Sequence, residues 1–331
     1  MALAMDNLKT VYLIDTYNLI FKAFFAFAQK PMTTSYHMNV SAIYGFLNML
    51  HKILNDYEPV YTLCAHDTGE KTFRADIYEG YKANRPECPA ELVPQFDVIF
   101  EFIDALSIPR LAMAGLEADD IIGTVAKKAS AEGYFVKIIS SDRDLFQLIS
   151  ERVRMVSLKK GISEIVEYDA EALKKEYKIK PQEVVLYKSL VGDASDNIPG
   201  VKGIGPKAAE ELISKFKSLD EIYDNLDMIT GRKKELLAAG REAAYMSYKL
   251  ALIDCDGAVE VDIEKYRKFE PDIDKFHALC GCVNQLPHAG AGYGQREGGI
   301  PASGGDDSLY HGRQKPVYGQ QTASQCLGLL V

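Results

Sequence analysis

Val11-Tyr12-Leu13-Ile14-Asp15 is an unbroken apolar run that ends in a carboxylate. A strand covered by helices on both faces reads this way, so the run predicts a buried parallel strand with Asp15 at its C-terminal tip. Val60-Tyr61-Thr62-Leu63-Cys64-Ala65 repeats the pattern just before Asp67. Tyr134 to Ile139 repeats it again before Ser140-Ser141-Asp142-Arg143-Asp144. Helical patterns lie between these runs. They cover Ser41 to Leu54 (Ile43, Phe46, Leu47 and Leu50), Phe96 to Leu106, and Gly115 to Gly133. Phe21, Phe24, Phe25 and Phe27 are expected to pack against the sheet. The alternation predicts an α/β fold built on a parallel sheet. Ligands of such sheets bind beyond the carboxyl ends of the strands, where Asp15, Asp67, Asp142 and Asp144 would converge.

Outside these elements the chain changes character three times. From 68 to about 95 it is polar, basic and aromatic, with Arg74, Tyr78, Tyr81, Lys82 and Arg85. That is too long for an ordinary connection. Cations interleaved with flat rings suit single-stranded nucleic acid, although packed tyrosines on a solvated helix face would read the same way. Residues 181–276 carry a helical pattern, a second and smaller domain after a first over 9–180. Residues 277–331 are rich in Gly, Gln and Ser, and read as a disordered tail or as sequence out of register with the gene that supplied the rest. Cys280 and Cys282 lack a second pair at zinc-site spacing.

Within the helical part, Gly192-Asp193-Ala194-Ser195-Asp196-Asn197-Ile198-Pro199-Gly200 places two carboxylates three residues apart. Val201-Lys202-Gly203-Ile204-Gly205-Pro206-Lys207 follows as a glycine-punctuated hairpin entering a helix. Gly203 and Gly205 carry no Cβ and admit a phosphate to backbone amides, and Pro206 suits a first helical turn. A plain turn before a helix is the simpler alternative.

Hydrophobic content of 47% in 331 residues is that of a globular protein with room for two domains. No apolar run approaches the roughly 18 residues of a membrane span. The first ten residues lack signal-peptide features, and six scattered cysteines fit reduced thiols, so a cytoplasmic location is expected. The net charge of −9 does not exclude a nucleic-acid partner, because the acids are clustered and bound cations would reverse the local sign. Basic residues gather separately, at Lys71, Arg74, Lys82 and Arg85 and at Lys202, Lys207, Lys215 and Lys217.

Nine acids stand in these positions: Asp15, Asp67, Glu117, Asp119, Asp120, Asp142, Asp144, Asp193 and Asp196. Singly, each is explained as a helix cap or a solvated strand end. Together they would repel and raise one another's pKa values, and hard divalent cations are the natural remedy.

In chain order, seven motifs resemble those of the 5′-nuclease (flap endonuclease-like) family. They are Val11 to Asp15, Tyr44-Gly45-Phe46, Asp67 with Phe73-Arg74, Tyr81-Lys82-Ala83-Asn84-Arg85, Glu117-Ala118-Asp119-Asp120, Asp142-Arg143-Asp144 and Gly192 to Lys207. The family includes the N-terminal 5′→3′ exonuclease domain of bacterial DNA polymerase I, and the resemblance covers residues 9 to 276. It implies a PIN-like nuclease core, a helical arch at about 68–95, and a helix-three-turn-helix at about 190–215 that holds duplex DNA. It also implies that the nine acids ligate two or more Mg²⁺ or Mn²⁺ ions, with K⁺ at the hairpin. Lys82, Arg85 and Lys22 would act in catalysis. Arg74, Tyr81, Lys202, Gly203, Gly205 and Lys207 would hold DNA.

The implied substrates are DNA 5′ ends, 5′ flaps and RNA primers, cut to 5′-phosphate and 3′-hydroxyl products in replication and repair. A monomer associated with the nucleoid is expected, either free-standing or joined to a polymerase portion. Two positions depart from the pattern: Thr16 replaces the usual Gly, and Phe21-Lys22 replaces Tyr-Arg. Lysine keeps the charge but loses arginine's two-pronged donor, so weaker phosphate positioning is expected there. A catalytically inactive DNA-junction binder and a metal-dependent small-molecule phosphatase are the rival readings. Thr16-Tyr17 after Asp15 lacks the second acid that one phosphatase type requires.

Overall fold

A computed structural model describes residues 9–159 and 164–285. The first strand, β1 (Thr10–Asp15), is buried along its whole length. It is followed by α1 (Thr16–Ala26), α2 (Ser41–Tyr57), β2 (Tyr61–Ala65), α3 (Phe73–Ile77) and α4 (Val93–Ala105). Next come β3 (Arg110–Leu111), α5 (Ala118–Ala131), β4 (Phe135–Ile139), β5 (Val153–Lys159) and β6 (Glu164–Tyr168). The remainder is helical: α6 (Ala170–Tyr177), α7 (Val184–Val191), α8 (Pro206–Lys215), α9 (Leu219–Asp224), α10 (Arg232–Ala239), α11 (Arg241–Ala251) and α12 (Ile273–Gln285).

The strands form one sheet in the order β3-β2-β1-β4-β5-β6, parallel except for antiparallel β6. Alternation along β1 shows how the layers assemble. Tyr12 and Ile14 enter a core with α1, α2, α4 and α12, while Val11 and Leu13 enter a second core with α5. Both faces are therefore dry, which is why β1 reads as a continuous apolar run. The order reverses direction between β1 and β4, and this switch point opens a crevice at their carboxyl ends. Asp15 and the Ser140–Asp144 turn sit at that crevice.

Several expectations need correction. The phenylalanines of α1 do not form its buried face: Leu19, Ile20 and Ala23 do, while Phe21 and Phe24 pack only partly buried against that core. At about 100° per residue, Phe21 and Phe25 fall on another side, where their rings stack 6.4 Å apart and Phe25 stays 57% exposed. The arch segment is not a continuous helix; it contains α3 and then turns. Strands β3, β5 and β6 went unread: β3 is two residues long and β6 pairs antiparallel at the sheet edge.

The helical pattern of 181–276 extends only to Ala251. From Ile253 the chain returns to the sheet, placing Ile253, Val259, Ile263 and Tyr266 in the α5 core. Residues 277–285 belong to α12 and not to a tail, because Phe276, Cys280 and Val283 fill the opposite core at helical spacing. Buried Cys280 and exposed Cys282 thus lie on different faces of that helix. The rest of the expected tail, 286–331, lies outside the described residues. Among the described residues, no helix is long and apolar enough to cross a membrane.

Candidate active site

Asp15 is 6% exposed and caps α1, accepting from the backbone N–H of Asn18 at 3.3 Å and from the Ser140 hydroxyl at 2.8 Å. Burial pushes its carboxyl up to about 7, and nearby Asp142 and Asp67 add repulsion. Asp67 follows β2 and accepts from the Ala118 N–H at 2.6 Å, which ties it to the start of α5. Glu117 caps that helix in a box with Asp120. Burial, with Asp142 and Asp15 next in order, raises Asp119 well above the carboxylate range. The Asp144 carboxyl is raised to about 6, chiefly by burial. Asp142 and Asp144 sit in the turn after β4, where the Asp142 carboxylate accepts from the Asp144 N–H at 2.9 Å. The strand ends and the start of α5 thus gather acids that repel one another.

Protein cations meet some of this charge. Lys82 Nζ lies 2.9 Å from Glu117 Oε2, and Arg85 lies 2.5 Å from Asp196 Oδ1. The Tyr81 hydroxyl donates to Glu117 at 3.2 Å, and Tyr81 also packs beside Val185, Ile198 and Leu250. Lys188, which sequence reasoning missed, bridges Asp144 and Asp193. Only its place one turn before Gly192 pointed to it. Lys22 donates to the Ser141 hydroxyl at 2.6 Å and to the Leu158 carbonyl of β5, beside the acid-bearing turn that follows β4. Burial and then Lys159 lower its pKa.

Two expected site residues are otherwise engaged. Arg74 is 2% exposed, with its guanidinium bound to both oxygens of Asp120 and to the carbonyls of Leu250 and Leu252. Sealed in this way, Arg74 presents no surface to DNA. Asp120, fully buried, also accepts from the Asp254 and Glu117 N–H groups and has no oxygen left for an ion. Among the described residues, no three His, Cys, Asp or Glu side chains are grouped so as to hold a metal ion. The donor chemistry nonetheless suits hard divalent cations: the groups on offer are carboxylate oxygens, and Asp15, Asp119 and Asp142 repel one another, with Lys82 offsetting only part of the charge at Asp119.

Asp193 and Asp196 lie in the turn between α7 and α8. Lys188 and Ser195 hold Asp193 down to about 2, against the opposing effect of burial. The turn closes on itself through reciprocal backbone bonds of 2.8 Å between Asp193 and Ile198. Gly192 and Gly200 interlock there, and a Cβ on Gly200 would sit 2.3 Å from the Gly192 nitrogen. Gly203 follows at φ +91, a left-handed conformation, while a Cβ on Gly205 would meet open space. Lys202 and Lys207 flank the hairpin and are exposed. A groove of about 1040 Å³ connects the acids with α8, lined by Asn18, Asp142, Asp144, Lys188, Asp193 and Ser214 among others.

Residues 10–178 match the family described as 5′-3′ exonuclease, N-terminal resolvase-like domain, and residues 179–274 match 5′-3′ exonuclease, C-terminal SAM fold. The chain belongs to the 5′→3′ exonuclease family. DNA polymerase I of Bacillus caldotenax is 42% identical to this family member over 272 residues, 82% of this chain and 31% of the relative. DNA polymerase I of Bacillus subtilis is 39% identical over 260 residues, 78% of this chain and 29% of the relative. The chain thus spans less than a third of the length of these relatives.

The T5 5′-exonuclease, solved with zinc ions bound, shares the fold at TM-score 0.61 and 22% identity, covering 83% of this chain and 96% of that one. The catalytic core of Rad2, solved with DNA substrate, does so at TM-score 0.54 and 18% identity, covering 84% and 89%.

Proposed function

We propose that the protein is a divalent-metal-dependent 5′→3′ exonuclease and 5′-flap endonuclease on DNA, yielding 5′-phosphate and 3′-hydroxyl ends. One observation carries the reading. The acids at the β1/β4 switch point lie between a cation-bearing strap, residues 80–85, and a groove that runs past Asp193 to α8, the helix that the glycine hairpin enters. A strand whose phosphodiester rests on the acids would meet Lys82 and Arg85 on one side and the hairpin's duplex grip on the other.

Asp15, Asp67, Glu117, Asp119, Asp142, Asp144, Asp193 and Asp196 would hold the ions. Bound Mg²⁺ or Mn²⁺ would supply charge neutralisation and a water of lowered pKa for in-line attack. Lys82 and Arg85 are the groups that leave the carboxylates for the scissile phosphate and stabilise its developing charge. Tyr81 offers a ring for a displaced base. Lys22 braces the Ser141 turn, and through it Asp142. The amides around Gly203 and Gly205, with Lys202 and Lys207, grip the duplex backbone, and a K⁺ ion bridging hairpin carbonyls belongs to the same proposal.

The wider reading is a monomeric, cytoplasmic, nucleoid-associated enzyme for RNA-primer removal and repair. Its nuclease core would span 9–180 and its DNA-holding unit would follow, with a polymerase portion joined in the full gene product. A 5′-labelled flap substrate tests the proposal. Cleavage should occur with Mg²⁺, stop with chelator and be lost in Asp142→Asn. Binding without cleavage by the unmutated protein would instead mark a junction-binding module.

A further inference from the structure

Charge alone does not hold the strap above the acids. Asn197 Nδ2 donates to the Gly80 carbonyl at 2.7 Å, and the Lys82 N–H donates to the Asp196 carbonyl at 2.9 Å. Asn84 Nδ2 donates to the Ala194 carbonyl at 2.6 Å. These bonds buckle the strap to the turn that carries Asp193 and Asp196. Both Lys82 and Asn197 sit at φ +57. Left-handed backbone strains lysine, whereas asparagine adopts it readily, so the strap's conformation is imposed from the turn's side. An ion pair between a long lysine and a carboxylate tolerates a wide arc of main-chain positions. The directed amide bonds do not, because they weaken steeply away from linearity.

We propose that Asn197 is a positioning residue for the cleavage reaction. Its side-chain amide fixes Gly80 and thereby sets the height of Lys82 and Arg85 over Glu117 and Asp196. The inference rests on the nuclease reading above. Asn197 touches neither substrate nor ion in this role. It acts through the strap, and it does so in the protein alone.

Two variants separate the amide from the backbone. Asn197→Gly keeps the left-handed turn but lacks the donor. Asn197→Asp keeps the shape but turns an acceptor toward the Gly80 carbonyl. The first measurement is amide hydrogen exchange over residues 78–86, without DNA or metal. Exchange should rise about tenfold or more in both variants, while the sheet amides stay protected. The second is flap cleavage with Mg²⁺. There kcat should fall on the order of 100-fold, the effect of misplacing a charged group by about 1 Å, with KM held within about twofold. Unchanged exchange over 78–86 overturns the proposal, as does a loss carried in KM. If Asn197→Gly fails to fold, the same two readings on Asn197→Asp decide. An inert unmutated protein overturns the nuclease reading and this one together; an active protein with unchanged exchange overturns this one alone.

Discussion

Arg74 and Asp120 face each other through two parallel hydrogen bonds, both 2.7 Å long, with both side chains withdrawn from water. A forked, fully desolvated pair is costly to break from one side, because the surviving charge stays buried. Arg74→Ala should therefore lower unfolding stability by about 3–5 kcal/mol in a urea titration. Arg85, with its side chain half exposed, should cost less as Arg85→Ala, about 1–3 kcal/mol because buried Asp196 loses its partner, and should still lower flap cleavage. A stable Arg74→Ala protein would contradict the first half, and an unimpaired Arg85→Ala enzyme the second.

Asp15 sets a pH dependence. Its carboxyl is raised in the fold from 3.8 to about 7, so the folded chain holds that proton more tightly than the unfolded chain does. The associated stability is complete below about pH 4 and is lost as pH climbs through 7, a change of roughly 3–5 kcal/mol. Asp15→Asn carries no such proton. With chelator present, the variant's stability relative to the unmutated protein should rise between pH 4.5 and 7.5. A constant difference would refute the shift.

Lys188 should compete with added cations. It occupies the space between Asp144 and Asp193, and removing its charge leaves two acids facing each other. Lys188→Met should bind Mg²⁺ or Mn²⁺ about tenfold more tightly by calorimetry without DNA, a gain of about 1.4 kcal/mol. Weaker binding would show that the lysine organises the acids and does not merely neutralise them.

Lys202 and Lys207 should report themselves through salt. Each phosphate contact releases counterions worth a slope of about 0.9 in log affinity against log salt. Replacing both by Ala should reduce the slope for flap DNA by roughly 1.8 and weaken binding for all sequences alike. An unchanged slope would remove the hairpin from the DNA path.

The sheet's centre was legible because burial on both faces leaves an uninterrupted apolar run, as at Val11 to Ile14. Strand β3 was not, since two residues carry no period, and the return of the chain at Ile253 was hidden in short segments without helical spacing. The acids were legible as a set from their recurrence at strand ends. Their division was not: nothing in the residue types told Asp120, sealed against Arg74, from Asp119 one position earlier. That difference arises from the 100° between successive helical residues and from which side of α5 faces the α11 terminus. Lys188 escaped for a related reason, since a lone lysine in a helix reads as solvated until the fold brings Asp144 to it.

The route of the chain beyond Ala251 has a mechanical consequence. The helical unit leaves the sheet near Lys180 and rejoins it at Ile253, whose N–H donates to Gln147 at 3.0 Å. Lys268 and Asp272 then bond to the carbonyls of Val60 and Ala105. A panel fastened along two margins cannot swing like one hung from a single pivot. On the proposed nuclease reading, the span from hairpin to acids would therefore work as a ruler, and the number of base pairs between grip and cut would be set by the protein's frame.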